Sequence, residues 1–201
     1  IIQCNKKKIY YVSSNVGQWL EDWRPGTDYR NCYSAYKNKG GGAIFDLIHE
    51  LDIAYWLFGD IEKLMCNKDK VSNLEIDTED YAHIMLKARK GYSINIQLDY
   101  LRSNYKRNIE IVMDGSTIFW DYCSGTITIF DKQNPKGQVI HKVGKDYNRN
   151  MMFEVIMKDF ILELSGDVGK KSICSFEEGV YSMMLAVKSH QSAENNTWLT
   201  L

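Results

Sequence analysis

Asp46, His49, Glu50 and Asp52 put four ionisable side chains into one short stretch of the chain. An imidazole with an ordinary pKa of ~6.5 can take or give a proton near neutral pH. A carboxylate three residues away on a helix shares its face, where it can hold a substrate or a nearby cation. The same Asp-x-x-His spacing also describes a solvated pair one turn apart. His49-Glu50 opens like the zinc-protease motif H-E-x-x-H, but Ile53 stands where the second histidine belongs, which excludes that motif. Just upstream, Gly40, Gly41 and Gly42 form a run suited to positive φ or to backbone lying against a ligand or another element. A flexible surface turn has the same composition.

The element that must carry these groups is a helix running from the glycines to Gly59. Ile44, Leu47, Ile48, Leu51, Ala54, Tyr55 and Phe58 recur at helical spacing and form one apolar stripe, with Gly59 as the stop. Asp46, His49 and Glu50 lie opposite, Asp52 at the edge, among Phe45, Ile53 and Trp56. A face with three large apolar residues is expected to look into a cleft or a second domain rather than into water.

Before this helix, Ile9 to Val12 are β-branched and aromatic, as in a strand. A loop from Glu21 to Asn38 then carries Trp23, Arg24, Tyr29, Arg30, Tyr33, Tyr36 and Lys37. Rings beside guanidinium groups suit a sugar face together with a phosphate or carboxylate; packed tyrosines and surface ion pairs would look the same. After the helix the period changes to two. Ile61–Val71, Glu79–Ala88, Tyr92–Leu101, Arg107–Met113, Ser116–Tyr122 and Thr126–Phe130 read as strands, and Gln138–Val143 adds a possible further one. Turns at Lys90-Gly91, Asp114-Gly115 and Ser124-Gly125 join neighbours as antiparallel hairpins. Asp99, Tyr100 and Arg102 end the third of these strands and fit a cleft wall as well as hairpin-end ion pairing. Two helices close the chain. Met152, Ile156, Phe160 and Leu164 mark the buried stripe expected for the first; Phe176, Val180, Met183, Met184 and Val187 mark that of the second, which opens with a Ser175-x-x-Glu178 capping box. The fold expected is α+β: a largely antiparallel open sheet of about six strands with helices on one face.

The run Gly40 to Gly59, with its G-G-G-x-hydrophobic-x-D-x-x-H-x-x-D pattern and Trp56-Leu57-Phe58-Gly59 end, resembles the opening helix of the C-terminal domain in Gfo/Idh/MocA oxidoreductases. Asp77-Thr78-Glu79-Asp80-Tyr81-Ala82, Asp114-Gly115-Ser116-Thr117-Ile118 and Trp120-Asp121 follow the order of strand signatures in that domain. Gly17 to Arg30 is similar to a branch of bacterial surface-polysaccharide and nucleotide-sugar enzymes. The resemblance covers essentially the whole chain but half of the family's architecture, the Rossmann domain being absent. One departure is that Asp46 precedes His49 by three residues where the family commonly has four.

The resemblance implies an NAD(P)-dependent enzyme acting on a carbinol carbon of a sugar or nucleotide sugar, with His49 and Asp46 catalytic. Trp23, Arg24, Tyr29, Arg30 and Lys37 are then substrate contacts, and Gly40, Gly41 and Gly42 backbone beside substrate or cofactor. Glu50 matches no family position, so Glu50→Gln is expected to impair turnover much less than His49→Ala. The other sheet face would contact a second copy in a homo-oligomer. Two alternatives stay open: a catalytically silent binding or oligomerisation module, and a metal-dependent sugar isomerase or lyase using Asp46, His49, Glu50 and Asp52.

At 201 residues and 44% hydrophobic the chain supports one domain, residues 1–201. A net charge of −1 with scattered short clusters such as Lys6-Lys7-Lys8 and Lys170-Lys171 excludes the phosphate-neutralising surface of a nucleic-acid binder. No apolar run reaches the ~18 residues of a membrane span. Five scattered cysteines, without C-x-x-C, are expected as buried free thiols in a reducing cytoplasm. There is no G-x-G-x-x-G and no Glu-Lys-Pro, so this stretch is expected to bind neither NAD nor NADP by itself. It begins on Ile1-Ile2 and is read as part of a longer protein.

Overall fold

The computed structural model describes residues 7–166 and 174–201; Cys4, Lys6, Lys170 and Lys171 lie outside them. Nine strands form one open sheet: β1 (Ile9–Gly17), β2 (Ile61–Asp69), β3 (Tyr81–Ala88), β4 (Ser93–Asp99), β5 (Lys106–Met113), β6 (Ser116–Asp121), β7 (Thr126–Asp131), β8 (Gln138–Lys142) and β9 (Leu199–Thr200). Their order across the sheet is β8-β7-β6-β5-β1-β4-β3-β2-β9. Among the described residues four α-helices accompany them: α1 (Ala43–Asp46), α2 (His49–Phe58), α3 (Arg149–Leu164) and α4 (Phe176–Asn195).

The sheet is mixed, with more strands than the six expected. The three hairpins at Gly91, Gly115 and Gly125 form as their turn residues require, each glycine at positive φ. The chain leaves β1 through the long loop and α1–α2, however, and returns through β2, β3 and β4. That path lays β4 beside β1 in parallel, Val12 opposite Ile94 and Val16 opposite Leu98. The last pairing, β9 on β2, spans two residues and carries too little pattern to show in sequence.

Strand alternation sorts the sheet faces. Val12, Val16, Ile84, Leu86, Ile94, Ile96, Leu98, Ile109 and Ile111 point to one side and are buried. Each such side chain, once buried, contributes about 1.5–3 kcal/mol. The opposite face sets Tyr11, Met65, Met85, Val112 and Phe119 among Ser13, Asn15, Asn95, Gln97 and Glu110, all partly or largely open to solvent. It is a mixed surface rather than a broad apolar one.

The helical side carries the apolar surplus. Met152, Ile156, Phe160 and Leu164 of α3 are all exposed, as are Phe176, Val180, Met183 and Val187 of α4. The stripe expected to be buried is uncovered in α3, no residue of which is buried, and largely uncovered in α4, where Met184 is half-buried. In α4 the buried face is Ser182, Leu185, Ala186, Ser189 and Ser192. Small residues there let the helix approach β2 closely, and Ser192 Oγ accepts from Cys66 N–H at 3.0 Å. The Ser175 capping box forms as its spacing requires. Among the described cysteines only Cys66 is buried; Cys123 and Cys174 are exposed and Cys32 is half-buried. No helix among the described residues is long and apolar enough to cross a membrane.

Candidate active site

The central helix is two pieces, and the break sets the site. After α1 the chain tightens, Ile48 N–H donating to Phe45 O and Glu50 N–H to Leu47 O, before regular α2 geometry resumes. Such i→i+3 bonds advance the phase by more than an α-helical step. Glu50 therefore turns inward. It is 1% exposed, on the side where the sequence placed apolar residues alone. Ser14 Oγ of β1 donates to its Oε2 at 2.7 Å and Arg107 Nε of β5 to its Oε1 at 2.7 Å. Glu50 is thus not on the open face with Asp46 and His49, where helical spacing put it. A buried carboxylate needs such partners, and these pin the start of α2 to the sheet.

His49 stands next to it at the wall of a cleft of about 570 Å³ lined by Trp23, Arg24, Asp46, His49, Arg107 and Arg149, among others. The cleft lies where β1 and β4 end side by side, the parallel seam of an otherwise antiparallel sheet. Gly17, at the end of β1, leaves room for Asp99: a Cβ there would lie 2.3 Å from the carboxylate oxygen. Asp99 in turn binds Arg102 at 2.8 Å, the hairpin-end ion pair.

Burial and then the cations of Arg107 and Arg149 bring the His49 pKa down to about 4. Its Nε2 lies 3.5 Å from Glu50 Oε1, whose charge is already engaged by Arg107 and Ser14. At neutral pH the ring is a neutral acceptor, with 43% of its side chain open. Asp46 closes α1 and accepts from the buried Tyr100 hydroxyl at 2.7 Å. Burial, then the Asp46 charge, hold the Tyr100 hydroxyl far above its ordinary pKa. The Tyr33 hydroxyl also meets Asp46, and its pKa is raised by burial first and that charge second.

Trp23 and Arg24 thus join Asp46 and His49 around one space. Tyr29, Arg30 and Lys37 do not line it. Arg30 is committed to Asp28 and Glu75 at 2.9 and 2.8 Å, Tyr29 Oη accepts from Glu75 N–H, and the backbone N–H of Lys37 is held by Asp77. The glycine run answers the domain's own packing. Gly40 closes a short 3₁₀ turn at φ 77°. A Cβ on Gly41 would meet the Tyr33 and Ser34 carbonyls, and one on Gly42, at φ 110°, the Glu79 carboxylate that caps α1 through Ile44 N–H. Gly41 and Gly42 thus lie against the domain's own backbone and Glu79, not open to a pyrophosphate as a dinucleotide cradle would be. Glu50, Asp46 and Asp52 turn to different partners, Asp52 to Ser182 at 2.8 Å, and no three of the described His, Cys, Asp and Glu side chains converge as metal ligands would.

The sequence did not reveal Tyr105, Arg107, Tyr122 and Arg149. Arg107 reaches the cleft because β5 pairs with β1 so that Arg107 opposes Val16. No local spacing carries that information.

A family model for the GFO/IDH/MocA C-terminal domain matches residues 8–119, more than half of the chain. The chain belongs to the GFO/IDH/MocA family. Solved structures agree on the fold. An inositol dehydrogenase homolog from Azotobacter vinelandii, complexed with NAD+, superposes with a TM-score of 0.81 at 14% identity, over 96% of this chain and 58% of its own. An oxidoreductase from Agrobacterium radiobacter, in complex with NAD+, L-tartaric acid and magnesium, gives 0.73 at 19% over 96% and 57%. The WlbA dehydrogenase from Bordetella pertussis, in complex with NADH and UDP-GlcNAcA, gives 0.69 at 21% over 96% and 56%. This GFO/IDH/MocA chain therefore spans a little over half the length of the structures it matches. A search of curated proteins gives no match.

Proposed function

We propose that this chain is the substrate-binding half of an NAD(P)-dependent oxidoreductase acting on a carbinol carbon of a sugar or nucleotide sugar. The observation that carries this is His49, held neutral at the cleft wall beside an Asp46 fixed by Tyr100. Oxidising a carbinol removes a hydride from carbon and a proton from oxygen. A nicotinamide held by a nucleotide-binding part outside this chain would supply the hydride acceptor. His49 takes the proton, which a neutral imidazole does without first losing one of its own. Asp46 orients the hydroxyl, and Trp23 offers its ring to the sugar's apolar face.

Two surfaces have roles under this proposal. The exposed apolar sides of α3 and α4 would seat the remainder of a longer polypeptide, which accords with the chain spanning 56–58% of the matched structures. The mixed open face of the sheet would meet a second copy, in a reducing cytoplasm that leaves the thiols free. Nicotinamide reduction by the complete polypeptide against a panel of sugars and nucleotide sugars tests the activity. Absence of any hydride transfer, with the cleft nonetheless binding a sugar, would favour the silent binding module.

A further inference from the structure

The cleft holds an excess of guanidinium groups that its own carboxylates do not use. Arg107 is fixed on three sides: Glu50 takes its Nε, and the Trp120 and Tyr122 rings lie 5.5 and 5.2 Å from its Cζ. Its two Nη groups make no hydrogen bond among the described residues, so a rigid planar fork presents unused donors. Arg149, the first residue of α3, forms no hydrogen bond or ion pair among the described residues. Arg24 lies over the Tyr33 ring at 5.2 Å and reaches Ser34 Oγ at 3.5 Å, with no carboxylate paired to it among the described residues.

Against three guanidiniums the lining offers one carboxylate, Asp46, already taken by Tyr100. Glu50 sits behind the wall, bound to Ser14 and Arg107. Guanidinium donors in a partly enclosed site are matched best by the paired oxygens of a carboxylate or phosphate. Tyr105 and Tyr122 join Trp23 in supplying rings for the apolar face of a sugar.

We propose that the cleft selects a sugar bearing an anionic group, a carboxylate or a phosphate, which Arg107 and Arg149 grip beside His49. This rests on the proposed oxidoreductase function and narrows its substrate class. One Glu50 oxygen is 2.7 Å from Arg107 Nε and 3.5 Å from His49 Nε2, so the Arg107 guanidinium and the His49 ring are neighbours on the same stretch of the cleft wall. The anion's charge also offsets those of Arg107 and Arg149, which add to burial in lowering the His49 pKa.

Binding of D-glucuronate, D-glucose 1-phosphate and D-glucose at matched ionic strength tests the proposal, read by calorimetry and by the His49 ring signals in NMR. At least one anionic sugar should bind at least about tenfold more tightly than glucose and raise the His49 pKa. Arg149→Ala, at an exposed position without structural contacts, should remove most of that preference. Tighter glucuronate assigns the grip to a carboxylate, tighter glucose 1-phosphate to a phosphate. Equal or absent binding of all three at millimolar concentration, or a preference that survives Arg149→Ala, overturns the proposal. Sugar-dependent nicotinamide reduction without charge preference would reject the anion while leaving the oxidoreductase. Charge-selective, Arg149-dependent binding without hydride transfer would do the reverse.

Discussion

The Glu50 carboxylate and the Arg107 guanidinium meet at 2.7 Å with the Glu50 side chain fully buried and that of Arg107 17% exposed. This pair joins α2 to β5 across the sheet and holds Arg107 at the cleft. Removing one partner of such a pair strands the other's charge. Glu50→Ala is expected to destabilise the protein by about 3–5 kcal/mol, measured by urea unfolding. Glu50→Gln keeps an acceptor for Ser14 and should cost less. A loss below about 1 kcal/mol for Glu50→Ala would mean that the pair contributes nothing beyond a surface contact.

Tyr100 makes a narrower prediction. Tyr100→Phe keeps the buried ring, including its edge contact with Trp23 at 5.1 Å, and deletes only the hydroxyl that holds Asp46. Stability should fall by about 1–3 kcal/mol, as for other lost hydrogen bonds to a charged group. In the complete enzyme kcat should fall as well, by less than for Asp46→Asn, because the carboxylate remains but keeps only its Tyr33 contact. Unchanged kcat with lowered stability would confine Tyr100 to a structural role.

His190 predicts a pH dependence. Its ring stacks on Phe45 at 4.7 Å, Lys68 Nζ meets Nδ1, and Nε2 has no hydrogen-bond partner, Glu79 lying 3.9 Å away. Burial first, then the Lys68 charge, lower its pKa to about 4. An unfolded histidine protonates near ~6.5, so between those values the unfolded chain binds the extra proton and stability falls as pH falls. Below about 4 both states are protonated and the loss levels off. His190→Gln should remove about 1.4 kcal/mol per pH unit from the slope near pH 5. Glu79, held above its ordinary range by burial, titrates in the opposite sense and is common to both proteins. An unchanged slope would show that His190 is solvated.

Much of the scaffold was legible because its signals are local. Alternation fixed β3 and β4, glycine turns fixed three hairpins, and Ser175 with Glu178 fixed the start of α4. The parallel β1–β4 seam was not, since it depends on how a long crossover returns. Periodicity also found α3 and α4; the α3 stripe is uncovered among the described residues, and the inner face of α4 was assigned wrongly. Periodicity ranks residues by size and hydropathy, whereas α4 packs through small serines and alanine and leaves its large residues outside. At the site, His49, Asp46, Trp23 and Arg24 came from motif and composition. Glu50 was misjudged because a uniform 100° step cannot register the tightened turn at Leu47, and Arg107 and Arg149 arrive from distant strand and helix positions.

The central claim, that neutral His49 accepts the proton of the reacting hydroxyl, is tested most directly by the pH dependence of turnover in the complete polypeptide. His49→Ala should lower kcat by ~10²–10⁴. In the native enzyme kcat/KM for oxidation should stay level from pH 8 down through ~6.5, where an ordinary histidine would titrate, and fall only toward pH ~4 as the ring protonates. That acidic limb should be missing in the variant. Near-normal kcat for His49→Ala, or an acidic limb that persists without the imidazole, would contradict the assignment.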